Sequence, residues 1–222
     1  MLCVLSVLEI KKMDAIIKKE HAAVTSLAQL DPQGHYSYAD YLSWKFEQAL
    51  EIIKGTIVPM SAPGRIHQRA SSYLNAILFN YLKDRRCEVY AAPFDVRLFD
   101  SKKSLKADRD IYTVVQPDLC VVCDLEKLDD KGCLGAPDLA IEILSPGNSS
   151  REMKLKKDLY SESGVREYWI VDPIRETVYR YNPDSDRDFG RPLIFVGNES
   201  MPSLIFPDFT LSLADLFLDN TA

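Results

Sequence analysis

Residues 137–173, PDLAIEILSPGNSSREMKLKKDLYSESGVREYWIVDP, constrain the fold more than any other stretch of the chain. Three segments can be read in it. An apolar run around DLAIEIL comes first. A polar stretch over 149–164 follows, with Ser149 or Ser150 as cap, apolar positions at Met153, Leu155 and Leu159, and Gly164 at its end. A second β-prone run, VREYWIVD, closes it. Strand, helix, strand in this order predicts a parallel pair joined by a right-handed crossover. One residue conflicts with that pattern: Glu142 stands between Ile141 and Ile143. Burying an ionised carboxylate without a partner is costly, so Glu142 should be protonated, paired or bound to a cation.

The rest of the chain supplies elements to surround this unit. SYADYLSWKFEQA (37–49) predicts a helix, with Ser37 and Asp40 in an N-cap arrangement and an apolar stripe through Tyr41, Leu42, Phe46, Ala49 and Leu50. EIIKGTIVPM predicts a tight hairpin about Lys54 and Gly55. A long helix is expected over 63–86, and CEVYAAPFDVRLF reads as a strand. A charged loop over about 100–110 leads to a further strand, VVQPDLCVVCD. TVYRYN, two short strand candidates and a closing helix near LSLADLFL complete the pattern. Together these predict an α/β, mixed α+β architecture in which a mixed β-sheet is flanked by helices. Residues 1–35 are expected to form an N-terminal extension and 36–222 a single domain.

Strand geometry selects a partner for Glu142. Asp138 shares its strand and face, but four residues at about 3.3 Å each put it roughly 13 Å away. Asp118 belongs to the preceding strand, and neighbouring strands lie about 4.8 Å apart, so the two carboxylates converge if those strands pair. Two carboxylates with a nearby backbone carbonyl form the hard-oxygen set that Mg²⁺ or Mn²⁺ prefers. On the following helix Glu152, Lys156, Tyr160 and Ser163 fall on one polar stripe, from which Lys156 can lean over the end of the Glu142 strand. Taken alone, Glu152 and Lys156 are an exposed i, i+4 pair.

Charge and cysteine content narrow the classes. A formal net charge of -6 in 222 residues argues against a protein that coats nucleic acid through a broad basic surface, while leaving room for a local groove. The five cysteines show no regular framework, which points to a reducing, cytoplasmic setting. Cys120 and Cys123 have CxxC spacing on a strand, where they face opposite ways, so zinc is disfavoured. The apolar start MLCVLSVLEI is too short to span a membrane and lacks a basic leader, so no membrane anchor is expected.

A PD on one strand, an acidic residue in the next and a lysine on the helix after it resemble the PD-(D/E)XK nuclease superfamily, with its restriction-endonuclease-like fold. VQPDLCVV, GAPDLAIEILSPGNSSREMKLKKDLYSESGVREYWIVDP, LEIIKGTIVPMSAPGRIHQ and APFDVRL, over roughly 37–217, are similar to the Uma-two family of restriction endonucleases. That resemblance implies Asp118 and Glu142 as ligands of Mg²⁺ or Mn²⁺ with the Ile143 carbonyl as a third, and Asp118, Glu142 and Lys156 as the catalytic set. Leu144 stands where many superfamily members place the lysine, whose role passes to Lys156. The resemblance adds Glu51 and His67 near the site, with Glu152 as a further accessory residue where the family often has Asp; Lys54 also replaces a common Asp. Taken alone, His67 is a helix-surface residue or a satisfied hydrogen-bonding group.

The expected function is therefore a metal-dependent endonuclease acting on DNA, with phosphate contacts from Arg65, Arg69 and Lys102 or Lys103, and with a homodimer suggested by the resemblance. The alternative of another class is a nucleic-acid-binding or regulatory protein that keeps the fold and has lost turnover.

Overall fold

The structure is a computed structural model and describes residues 23–99, 108–146, 150–185 and 188–218. Its strands, in chain order, are β1 Leu50–Ile53, β2 Thr56–Pro59, β3 Glu88–Ala91, β4 Val96–Leu98, β5 Thr113–Val115, β6 Leu119–Val122 and β7 Leu128–Asp129. They continue with β8 Gly132–Leu134, β9 Leu139–Ile143, β10 Glu167–Asp172, β11 Thr177–Tyr181, β12 Leu193–Val196, β13 Ser200–Pro202 and β14 Thr210–Ser212. The α-helices are α1 Tyr38–Ser43, α2 Arg65–Leu82, α3 Ser150–Ser163 and α4 Leu213–Phe217.

The expected mixed α+β architecture is present, but the strands divide between two six-stranded sheets, ordered β2-β1-β5-β4-β8-β7 and β12-β11-β10-β9-β6-β3, with β13 and β14 as a separate pair. Two prolines account for the division. The single strand expected over VVQPDLCVVCD is broken at Gln116, Pro117 and Asp118, because a proline cannot donate to a ladder, so β5 joins the first sheet and β6 the second. CEVYAAPFDVRLF splits likewise at Pro93, with β3 and β4 in different sheets.

β9 pairs with β10 in parallel across α3, as the strand-helix-strand reading requires. Its other neighbour is β6, antiparallel, with Leu119 opposite Ile141 and Cys120 opposite Ala140. One face of this second sheet carries Leu119, Val121, Leu139, Ile141, Ile143 and Trp169 against α2 and α4. The other carries Cys120, Val122, Ala140, Tyr168 and Ile170 against Val96, Val115 and Cys133 of the first sheet and Leu159 and Tyr160 of α3. A sheet covered on both faces explains why all six residues of β10 are buried.

Local signals were met unevenly. Ser37 and Asp40 form a complete capping box at α1, but the helix ends at Ser43 instead of reaching residue 49. Trp44 takes an extended backbone and its ring stacks on Phe46 at 5.7 Å, while Leu50 is drawn into β1. Aromatic residues are weak helix formers, so tertiary stacking overrides the 3.6-residue pattern. The hairpin turn has positive φ at both Lys54 and Gly55 (50° and 84°), as the two-residue turn matching strand twist demands. Cys120 and Cys123 do face opposite ways, yet Cys123 is disulfide-bonded to Cys87, across from it on the β3–β6 ladder, a bond that runs against the reducing setting read from the absence of a cysteine framework. Cys120 and Cys133 are free and buried.

Candidate active site

The cleft that matters opens where β9 ends, the carboxyl edge at which parallel α/β units place ligands. It encloses about 880 Å³ between α2, α3 and the β1–β2 hairpin. Continuing the β6–β9 register one step sets Asp118 directly across from Glu142. The contact is tight: the Ile143 amide donates to Asp118 Oδ2 at 2.7 Å. Glu142 points away from the α2 face, toward α3 and the first sheet, because odd-numbered residues of β9 fill the opposite core.

Lys156 reaches Glu142 from α3, donating to its Oε1 at 2.9 Å, and at the same time donates to Glu51 Oε1 at 2.5 Å. It is therefore not the exposed residue of an i, i+4 surface pair; its side chain keeps only 16% of its exposure. Glu51, on β1, is 4% exposed and also accepts the Gln116 amide at 2.8 Å. Tyr160, one turn after Lys156, donates its hydroxyl to Glu142 Oε1 at 2.6 Å. His67 is buried in the first turn of α2 and lies 3.1 Å from Asp118 Oδ1 through Nε2, while its Nδ1 has no hydrogen-bond partner among the described residues. It is not a helix-surface residue. Glu152 lines the cleft.

The electrostatics follow from this packing. Burial raises Glu142 above the ordinary carboxylate range; Lys156 opposes that rise, Asp118 and Glu51 reinforce it, and the Tyr160 hydroxyl opposes it. Burial pulls Lys156 down, but Glu142 and Glu51 outweigh it and the net direction is up, so the ammonium is retained. Both directions come from one crowding: two carboxylates share a single cation. His67 is likewise pulled down by burial and raised on balance by its bond to Asp118.

Asp118, Glu142 and Lys156 thus meet in one place, with Glu51, His67 and the Ile143 backbone beside them. Among the described residues no group of three or more His, Cys, Asp and Glu is disposed to hold a metal ion. The donor chemistry nonetheless fits a hard divalent ion, since the carboxylates of Asp118 and Glu142 flank the Ile143 backbone where β6 meets β9. Arg65 and Arg69 do not line this cleft; they border a separate small depression with Pro173 and Leu216. Lys102 and Lys103 lie outside the described residues. Sequence reading placed Tyr160 on the polar stripe without a role; its signal was the i+4 spacing from Lys156. Gln116, which ties Glu51 and Asp95 together, gave no signal beyond its place before Pro117.

The model of the Uma2 family, described as "Putative restriction endonuclease", matches residues 38–214. The chain belongs to this family. The Uma2 chain is also similar to an uncharacterized protein of Synechocystis sp., 23% identical over 172 residues that cover 76% of this chain and 82% of the relative. It shares its fold with a "putative nuclease" of Anabaena variabilis known from a crystal structure, at a TM-score of 0.64 and 21% identity over 82% of this chain and 97% of the other. Among the described residues no helix is long and apolar enough to cross a membrane.

Proposed function

We propose that this Uma2 chain is a divalent-metal-dependent endonuclease that hydrolyses phosphodiester bonds of DNA. The observation that carries the reading is the meeting of Asp118, Glu142 and Lys156, brought from the residue just before β6, from β9 and from α3 to one cleft edge, with Lys156 2.9 Å from Glu142. Asp118, Glu142 and the Ile143 carbonyl would hold Mg²⁺ or Mn²⁺. Bound there, the ion would supply Lewis acidity toward a water and a phosphate oxygen. Lys156 keeps its proton and can donate to a phosphate oxygen as negative charge grows there. Glu51 and Tyr160 hold Lys156 and Glu142 in place, and His67 fixes one oxygen of Asp118. The family supports the nuclease class; the Mg²⁺ requirement, the DNA substrate, internal cutting and pairing into a homodimer are parts of this proposal.

The test is cleavage of single-stranded DNA and of supercoiled plasmid in Mg²⁺ or Mn²⁺ by wild type and by Asp118→Ala, Glu142→Ala and Lys156→Ala, turnover of either substrate by wild type counting for the nuclease reading. We expect each variant to lose at least about 10²-fold in rate, the scale of a removed charge-stabilising group. Cleavage surviving all three changes would place the chemistry elsewhere. One observation favours a second reading, a nucleic-acid-binding protein without turnover: Lys156 already bridges Glu51 and Glu142. Calorimetric titration separates the two, because a nuclease binds Mg²⁺ or Mn²⁺ through Asp118 and Glu142, and an inactive relative held by the Lys156 bridge does not.

A further inference from the structure

The walls of the cleft are unlike a groove built to follow phosphates. Among the described lining residues the carboxylates are Glu51, Asp118, Glu142 and Glu152, and the one lysine or arginine is Lys156, already engaged by two of them. Duplex binding draws most of its non-specific affinity from lysine and arginine on phosphates, and among the described residues the cleft lining offers no such row. The α2 wall has a different character. Gln68, Ser71, Ser72 and Asn75 recur at i, i+3, i+4 and i+7, line the cleft on one helix face, and are exposed or half-buried, beside the buried stripe of Ala70, Leu74 and Leu78. The solvent face of a helix ordinarily carries charge; this one presents amides and hydroxyls. Met60, Pro63, Met153 and Leu155 give the same cleft an apolar rim, and Leu155 is 40% exposed.

Amides and hydroxyls suit base edges and sugars, and apolar side chains suit base faces. A duplex keeps those faces stacked inside, whereas an unpaired strand offers them. Resting on the nuclease reading above, we propose that the cleft takes DNA as an unpaired single strand, with Gln68, Ser71 and Asn75 of α2 contacting bases or sugars and the apolar rim packing against base faces. Affinity then comes from neutral contacts, and salt affects it weakly.

The experiment is fluorescence anisotropy with a labelled strand of about 15 nucleotides, alone and annealed to its complement, in Ca²⁺ from about 50 to 200 mM salt. The single strand is expected to bind at least tenfold tighter than the duplex. Its slope of log affinity against log salt should be no steeper than about −1.5, equivalent to two phosphate contacts at about −0.7 each. The triple variant Gln68→Ala/Ser71→Ala/Asn75→Ala, whose alanines favour the helix, should weaken single-strand binding at least tenfold and leave that slope unchanged. Duplex binding as tight as single-strand binding, a slope steeper than about −4, or wild-type affinity in the triple variant would overturn the proposal. If linear duplex DNA is cut as fast as single-stranded DNA and cutting needs Glu142, only this proposal falls; if neither form is bound, the nuclease reading falls with it.

Discussion

Replacing Lys156 by methionine keeps most of the side-chain volume and removes the charge that Glu51 and Glu142 share. Glu51 is 4% exposed and the Glu142 side chain 18%, so both carboxylates would stay buried with no cation between them. Breaking a buried ion pair from one side costs about 3–5 kcal/mol. For a domain of this size that corresponds to a melting temperature lower by roughly 6–20 °C, at about 2–4 °C per kcal/mol. The loss should depend on pH in a definite sense. Glu142 is already raised in the folded state, and losing Lys156 raises it further, while the unfolded value stays near about 4.3. A carboxyl whose folded pKa lies above its unfolded one contributes stability below the unfolded pKa and loses it as pH rises toward the folded pKa. The variant should therefore trail wild type by the full amount at about pH 8 and by under about 1.5 kcal/mol near pH 4.5. Urea unfolding at the two pH values measures the difference directly. An equal deficit at both would mean that packing of the Lys156 stem, and not its charge, holds this corner together.

Tyr160→Phe removes one hydroxyl from Glu142 and should cost about 1.5–3 kcal/mol in stability by urea unfolding. Because that hydroxyl lowers the Glu142 pKa, the acid limb of a cleavage pH profile should move upward, by about one unit if 1.4 kcal/mol of the bond acts on ionisation. Glu167 is fully buried and accepts from the Trp169 indole, Asn182 and the Leu204 amide; Glu167→Ala should cost about 3–5 kcal/mol in the same measurement and leave the cleavage rate per folded molecule unchanged. Reducing the Cys87–Cys123 bond, which spans 36 residues, should lower unfolding stability by about 3–4 kcal/mol, read by thermal melts with and without a thiol reductant.

The strand-helix-strand unit was legible because its three signals agree: alternating burial, a periodic helix ended by Gly164 at φ 87°, and a second apolar run. Choosing Asp118 over Asp138 was legible too, since it needed only strand spacing; Asp138 instead binds the Cys123 amide and Arg166. The two-sheet arrangement was not. Pro93 and Pro117 each sit within what reads as one strand, and local propensity does not reveal that the halves pair with different neighbours. Nor does an acid in an apolar run identify a site by itself. Glu167 is more deeply buried than Glu142, and its oxygens are taken up by indole, amide and backbone donors that tie β10 to the β13 region. What separates the two is the cleft, which depends on contacts between distant segments. Glu51 illustrates the same limit: its partner Lys156 is 105 residues away.

Three independent alignments have to coincide for the acids and the lysine to meet: Asp118 against Glu142 across β6 and β9, Glu51 on β1 against β5, and the rotational phase of α3. In a strand a shift of one residue turns every side chain to the other face, and in a helix it turns each by about 100°. Insertions and deletions should therefore be tolerated in the connection between β6 and β9, residues 123–138, only where the ladder is left in step, and hardly at all within 114–118 or 139–156. A length polymorphism in this protein reads as a ruler: where relatives differ in residue count marks the segments that do not measure out the cleft.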